Sequence, residues 1–165
     1  LGRILAAVDP NPAHPDHCAL NTIIMQLSTS LAQQYSAELH IVHVWNYEYE
    51  SILRWQDINM SQTEVNRFLH EVREEHGCQL EALLQQYDLS DLAHKVHLMK
   101  GEAGKLIPKL ARSQKIDLLV MGTVCRTGVA GLIMGNTAED VLRHVDCSVL
   151  TVKPDGFKTS VTLAP

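Results

Sequence analysis

The sequence predicts a single α/β domain built on a central parallel sheet. Short aliphatic runs of strand length alternate along the chain with longer stretches in which apolar residues recur at helical spacing. Strict alternation of this kind is typical of a parallel sheet whose right-handed crossovers place helices on both faces. The length of 165 residues also agrees with one domain, since domains run to roughly 100–200 residues.

Five runs have the length and the β-branched content of strands. They are Arg3–Asp9, Glu38–Trp45, Lys95–Lys100, Ile116–Gly122 and Cys147–Lys153. Several are apolar almost throughout, as expected when both faces of a parallel sheet are covered. The second and third alternate apolar and polar residues instead, so we expect these two to lie nearer an edge.

Four stretches between the strands carry apolar residues at spacings of three, four and seven, which predicts helices. They are Cys18–Tyr35, Ser61–Tyr87, Ala103–Ser113 and Thr137–Val145. Ser61 and Glu64 form a capping-box pattern at the start of the second helix. Glu71, Glu74 and Glu75 fall on the same helix, where we interpret them as a solvated face.

The composition excludes several classes of protein. The net charge is −5, and no block of Lys and Arg is present, which argues against a nucleic-acid partner. The longest aliphatic run, Ile4–Val8, is far below the roughly 18 residues needed to span a bilayer, so we expect no membrane partner. The four cysteines form no C-x-x-C pair. We therefore expect a reduced, cytoplasmic chain.

The ends of the chain predict where the domain stops. The tail after Pro154 shows no periodicity, so we assign residues 1–155 to the domain and residues 156–165 to a C-terminal extension. The first residue is Leu1 rather than Met, which is consistent with a piece processed or excised from a longer chain.

A ligand crevice is expected beyond the carboxyl ends of the strands, where the strand order reverses. The first strand ends at Asp9 and the fourth at Gly122, so the two following loops face each other if these strands are neighbours. Four glycines between Gly122 and Gly135 allow close backbone approach. Asn136 or Thr137 is expected to cap the next helix, whose free N–H groups can receive phosphate oxygens.

Two further observations bear on this loop. Arg126 could add a charge-assisted contact to a phosphate. The sequence shows neither a P-loop nor a G-x-G-x-x-G pattern after the first strand, however, and a glycine-rich loop before a cap is also typical of an ordinary connection.

The same loop carries a motif at defined spacing. Met121 and Gly122 are followed by Cys125, then by Gly135 and Asn136 after nine further residues. This arrangement resembles the G-x2-G-x9-G-S/T motif of the universal stress protein family, and the opening ILAAVDPN and closing CSVLTVKP resemble that family's first and last strands. The loop is most similar to the branch of the family that joins two such domains in tandem.

The resemblance implies a three-layer, Rossmann-like sandwich of the adenine nucleotide alpha hydrolase-like type, with strand order 3-2-1-4-5. It also implies pairing through strand five, in a homodimer or with a tandem domain. In ATP-binding members the loop holds the phosphates and the aspartate of strand one meets the adenosine end. Carried over by position, the ligand residues are Asp9, Val42, Met121, Gly122, Cys125, Gly135, Asn136 and Thr137.

Two of these positions depart from the motif. Cys125 has a β-carbon where the motif has glycine, and Asn136 places an amide where it has a hydroxyl, so both weaken the case for ATP with Mg²⁺ as a cofactor. Asp9 is interpreted either as a ligand of Mg²⁺ or as a cap of the turn before Pro10. Cys125 is either a thiol activated by the helix N-terminus or a packing residue.

The histidines offer separate hypotheses. His14, His17 and Cys18 could bind zinc or another soft divalent ion, or could belong to a solvated loop. We expect the strand histidines to lie half-exposed on the faces of the sheet, under a helix; the alternative is that His43 and His97 approach each other across strands two and three. Nine histidines make the charge of the protein sensitive near pH 6.

No catalytic arrangement stands out, since no G-x-S-x-G elbow is present. The prediction is a regulatory or ligand-sensing module in stress survival without dedicated catalysis. The first alternative is a nucleotide binder with at most slow ATP hydrolysis. The second is an interaction domain that pairs through strand five, and the third is an apolar ligand pocket beneath the segment Tyr47–Trp55.

Overall fold

The computed structural model describes residues 1–11, 15–47, 61–123 and 135–153, and only the backbone of residues 15–18. Strands and helices alternate through these ranges. The strands are β1 (Arg3–Ala7), β2 (Glu38–Trp45), β3 (His94–Lys100), β4 (Leu118–Gly122) and β5 (Ser148–Val152). The helices are α1 (Pro15–Tyr35), α2 (Gln62–Leu84), α3 (Ala103–Ser113) and α4 (Asn136–His144).

The five strands form one parallel sheet in the order β3-β2-β1-β4-β5, which confirms the predicted order. β1 lies at the centre, where Leu5 stands opposite His40 of β2 and Leu119 of β4. The expectation that the first and fourth strands are neighbours is therefore confirmed. Since all strands run in the same direction, their carboxyl ends meet at one edge of the sheet.

The two faces of the sheet pack against different helices. Ile4 and Ala6 of β1 face a cluster that contains Leu20 and Ile24 of α1 and Leu80 of α2. Leu5, between them in sequence, faces the opposite cluster, which is built with α3 and α4. The alternation of strand side chains thus separates two cores and produces the expected three layers.

The edge strand β3 is more exposed than its neighbour β2. β3 lies at one edge, where Val96 is 45% exposed. β2 lies next to it, and almost all of its side chains are buried.

The expectation of half-exposed strand histidines is wrong for β2, because His40 is fully buried and His43 is only 2% exposed. Each of these imidazoles has another imidazole as a hydrogen-bond partner, which offsets the cost of burial.

The alternative, an approach of His43 to His97, is also wrong. The β2–β3 register places Val42 opposite His97, so His97 shares the face of His40, and His43 points to the other face. His40 Nδ1 lies 3.0 Å from His97 Nε2. His43 Nε2 lies 2.9 Å from Nδ1 of His76 on α2.

Of the two predicted helix N-termini, that of α2 is confirmed and that of α4 is wrong. The capping box is confirmed, because the Ser61 hydroxyl accepts from the Glu64 N–H and the Glu64 carboxylate accepts from the Ser61 N–H. The prediction that Asn136 or Thr137 caps α4 is wrong, since Gly135 is the N-cap and Asn136 is already helical. Gly135 has extended backbone angles (φ −76°, ψ 148°) and no side chain to offer.

Residues 154–165 lie outside the described ranges, so the boundary at residue 155 stays a prediction. Among the described residues, none of the helices combines the length and the hydropathy needed to cross a membrane.

Candidate functional site

A cavity of about 650 Å³ opens at the carboxyl ends of β1, β2 and β4. Its wall includes Ala7 and Val8 from the first strand, Val44 from the second and Met121 from the fourth. The first residues of α3 and α4 and part of α1 complete the wall. This is the position expected for a ligand in an open parallel sheet, beside the point where strand order reverses.

Seven of the eight predicted ligand residues line this one cavity. They are Asp9, Val42, Met121, Gly122, Gly135, Asn136 and Thr137. The eighth, Cys125, lies outside the described residues together with Arg126 and the rest of the loop at 124–134. The structure therefore brings these seven residues together around one cavity. Their roles toward a ligand stay predictions.

Asp9 is held at the mouth of the cavity by α1. The Asn21 side-chain oxygen accepts from the Asp9 N–H at 3.0 Å, and the Asn21 amide donates to the Asp9 carbonyl at 2.8 Å. Asn21 is only 3% exposed, so the pair ties the end of β1 to the helix away from bulk water. The Val8 N–H donates to the Val42 carbonyl at 3.0 Å and extends the ladder by one residue.

A pair of histidines in the cavity wall was not predicted. His43 Nδ1 lies 3.2 Å from the Val8 carbonyl, and its Nε2 lies 2.9 Å from His76 Nδ1. Trp45 stacks on His76, with ring centroids 5.4 Å apart and planes at 20°. Burial lowers the pKa of His76 below its ordinary value, and the carboxylates of Glu75 and Asp9 oppose this effect.

No local pattern in the sequence points to His76 as a site residue. It follows Glu74 and Glu75, whose exposed side chains are solvated as predicted, and it lies 33 residues from His43 along the chain. Only the packing of α2 on the sheet brings the two imidazoles together.

The opposite rim is formed where α3 and α4 begin. Gly101 has a φ of 143°, a conformation that side chains rarely adopt. A Cβ at Gly104 would lie 2.8 Å from the Asp140 Cβ, so glycine permits the close approach of the two helices. Glu102 pairs with Lys105 at 2.8 Å, and this hydrogen bond raises the pKa of the lysine.

The described lining has two chemically different parts. Its carboxylates, Asp9, Glu102 and Asp140, accept hydrogen bonds. The first backbone N–H groups of α4 have no side-chain cap and donate, at the positive end of the helix dipole. The described lining contains no Ser, Cys or Lys, and its one hydroxyl belongs to Thr137.

The remaining sequence hypotheses fall partly outside the described residues. His14 and the side chains of His17 and Cys18 are not described, so a metal site there stays a prediction. Within 1–11, 15–47, 61–123 and 135–153, no group of three or more His, Cys, Asp or Glu side chains is arranged to hold a metal ion. Cys78 and Cys147 are free thiols.

The predicted pocket under Tyr47–Trp55 cannot be located, because residues 48–60 lie outside the described ranges. Tyr47 itself packs edge-on against Phe68 of α2, with ring centroids 5.1 Å apart.

Comparison with known proteins gives one consistent result. The universal stress protein family matches residues 1–153. Universal stress protein E of Escherichia coli (strain K12) is 31% identical over 163 residues, which cover 98% of this chain and 50% of that protein. The chain thus spans about half the length of the curated relatives it matches first.

Solved structures agree on the fold. A functionally unknown protein of Pseudomonas aeruginosa PAO1, PA1789, superposes with a TM-score of 0.71 at 28% identity, over 93% of this chain and 48% of that one. A universal stress protein solved in complex with cAMP has a TM-score of 0.54 at 16% identity, over 92% of this chain and 95% of that one. The second likeness concerns the fold alone.

Proposed function

This chain belongs to the universal stress protein family, and from that premise we propose that it is a regulatory or ligand-sensing domain of the stress response without dedicated catalysis. The observation that carries the proposal is the cavity at the carboxyl ends of β1, β2 and β4. Its volume of about 650 Å³ falls within the roughly 300–1,000 Å³ of small-molecule sites. We also propose that the protein works in the cytoplasm.

Binding rather than turnover is supported by the chemistry of the wall. Asp9 is fixed through its backbone by Asn21, and the described lining holds no Ser, Cys or Lys. A ligand bound in this cavity can raise the stability of the domain, because a ligand that binds only the folded state stabilises it.

Nucleotide binding is the second candidate function. The N-terminus of α4, which has no side-chain cap, suits phosphate oxygens, and Asp9 in the same lining suits a sugar hydroxyl or Mg²⁺. The universal stress protein solved with cAMP supports this alternative for the fold. For this candidate we propose at most slow hydrolysis of ATP.

Thermal unfolding with and without Mg-ATP or cAMP separates the two candidates. A rise in Tm that Gly135→Trp abolishes, and that the exposed control Gln26→Trp keeps, would favour a nucleotide. The absence of any rise with either compound would remove the nucleotide alternative.

Pairing through β5 is a separate proposal. β5 forms its described ladder with β4 on one side only, and its central residues Val149 and Leu150 are half-buried. A second copy or a tandem domain could add a strand to this edge. Light scattering should show that Val149→Pro abolishes a dimer which Val149→Thr retains, because proline lacks the N–H and resists strand pairing. A dimer that survives the proline would contradict pairing at this edge.

A further inference from the structure

The His43–His76 pair fixes which ring nitrogens carry protons at one end of the cavity. A carbonyl oxygen can only accept, so His43 Nδ1, 3.2 Å from the Val8 carbonyl, must carry a hydrogen. His43 is 2% exposed, and a second proton would place a charge in a buried position at high cost. In the neutral form, which burial favours, the lone pair lies on Nε2.

The tautomer of His76 follows from that of His43. With His43 Nε2 as acceptor, the contact of 2.9 Å requires His76 Nδ1–H to donate. A neutral His76 then has its lone pair on Nε2. Burial lowers the pKa of His76, which agrees with a neutral ring near pH 7.

The position of His76 makes this lone pair available to a ligand. His76 is half-buried and lines the cavity. Its hydrogen bond to His43 is made by Nδ1, so Nε2 is the ring nitrogen that can face a ligand. Asp9 lies close enough for its carboxylate to act on the His76 charge. Both groups accept hydrogen bonds, so this end of the cavity suits N–H and O–H groups and repels phosphate or carboxylate.

Trp45 adds a flat apolar wall beside the acceptor. It is 3% exposed, stacks on His76 and lines the same cavity. Its indole N–H is buried and has no hydrogen-bond partner among the described residues. The cavity lining thus combines the stacked aromatic pair with the acceptor of His76.

We propose that the cavity takes a small molecule that carries hydroxyl or amino groups, and that His76 Nε2 accepts a hydrogen bond from one of them. This inference rests on the proposed function and adds a specificity residue to the same site. His43 is a positioning residue, because it acts by holding His76 in one tautomer.

The first test is the tautomer itself. In ¹⁵N-labelled protein near pH 7.5, above the ordinary histidine pKa of about 6.5, we expect His76 to carry its proton on Nδ1 with Nε2 unprotonated. A proton on Nε2 would overturn the inference. In His43→Phe, which removes the acceptor but keeps a ring, the preference for Nδ1–H should be lost; if it persists, His43 does not hold the tautomer.

The second test uses phenol and anisole as matched probes, since anisole has the same ring but no donor. Phenol should bind about five times more tightly than anisole, because one ordinary hydrogen bond changes the affinity by about that factor. Phenol should also shift the His76 Nε2 resonance. His76→Phe should remove the preference, whereas His70→Phe, on the exposed side of α2, should keep it.

The outcomes separate the inference from the proposed function. Equal binding of the two probes, blocked by Gly135→Trp, would overturn the role of His76 and leave the cavity as a ligand site. If neither probe perturbs any residue of the cavity, both the role of His76 and the ligand site are contradicted.

Discussion

Replacement of Asn21 by alanine tests how firmly α1 fixes Asp9. The change removes two hydrogen bonds, of 3.0 and 2.8 Å, to the Asp9 backbone. Each contributes about 0.5–1.5 kcal/mol, and a backbone group left unpaired in a buried position raises the cost. Alanine recovers about 0.5 kcal/mol through its higher helix propensity. We expect the free energy of unfolding to fall by about 2 kcal/mol in Asn21→Ala.

Urea unfolding provides the measurement, with Asn66→Ala as the matched control. Asn66 is an exposed asparagine on α2, so its replacement gains the same helix propensity and should change the free energy of unfolding by no more than about 0.5 kcal/mol. At about 2–4 °C per kcal/mol, the Tm of Asn21→Ala should fall by about 4–8 °C. A change in the free energy of unfolding no larger than that of the control would refute the argument that these bonds hold the end of β1.

Other features of the structure give three more expectations. Ser61→Ala removes the capping hydroxyl of α2 and should lower the free energy of unfolding by about 1 kcal/mol in urea unfolding, whereas an unchanged value would show that the cap is not stabilising. Gly101→Ala should cost about 1–3 kcal/mol, since its φ is 143° and its Cβ would lie 2.9 Å from Leu106 Cδ1; a neutral result would mean that the turn relaxes. Burial lowers the pKa of His76 and of His97, and for His97 the charges of His40 and Lys95 add to this. The unfolded chain therefore binds protons more readily, so the free energy of unfolding should fall as pH drops below about 6.5. His97→Asn should weaken that dependence, and an equal slope in the variant would contradict the assignment to His97.

The sheet could be predicted because its signals are local. Apolar runs such as Ile4–Val8 and the capping box at Ser61 and Glu64 depend on neighbours in sequence, and the structure confirms both elements. The grouping of Asp9 with Gly122 and Gly135 followed from one geometric rule, that parallel strands end at the same edge. The cavity lining agrees with it.

The errors arose where contacts between distant residues decide the outcome. The approach of His43 to His97 depended on a register that places His97 opposite Val42, and a shift of one residue moves a side chain to the other face. His76 was missed because its partner lies on a different element. The cap of α4 was misplaced by one or two residues because Gly135 keeps an extended backbone, although asparagine is the commoner cap by propensity.

The central claim is that the cavity where β1 and β4 end binds a small molecule. Native mass spectrometry of the chain after incubation with a small-molecule extract of cells tests it most directly. We predict an added mass on the unchanged chain and on Gln26→Trp, and its absence from Gly135→Trp, whose indole would obstruct the cavity that Gly135 lines. The mass of the ligand-free chain in all three proteins would contradict the claim, and so would an adduct that survives in Gly135→Trp.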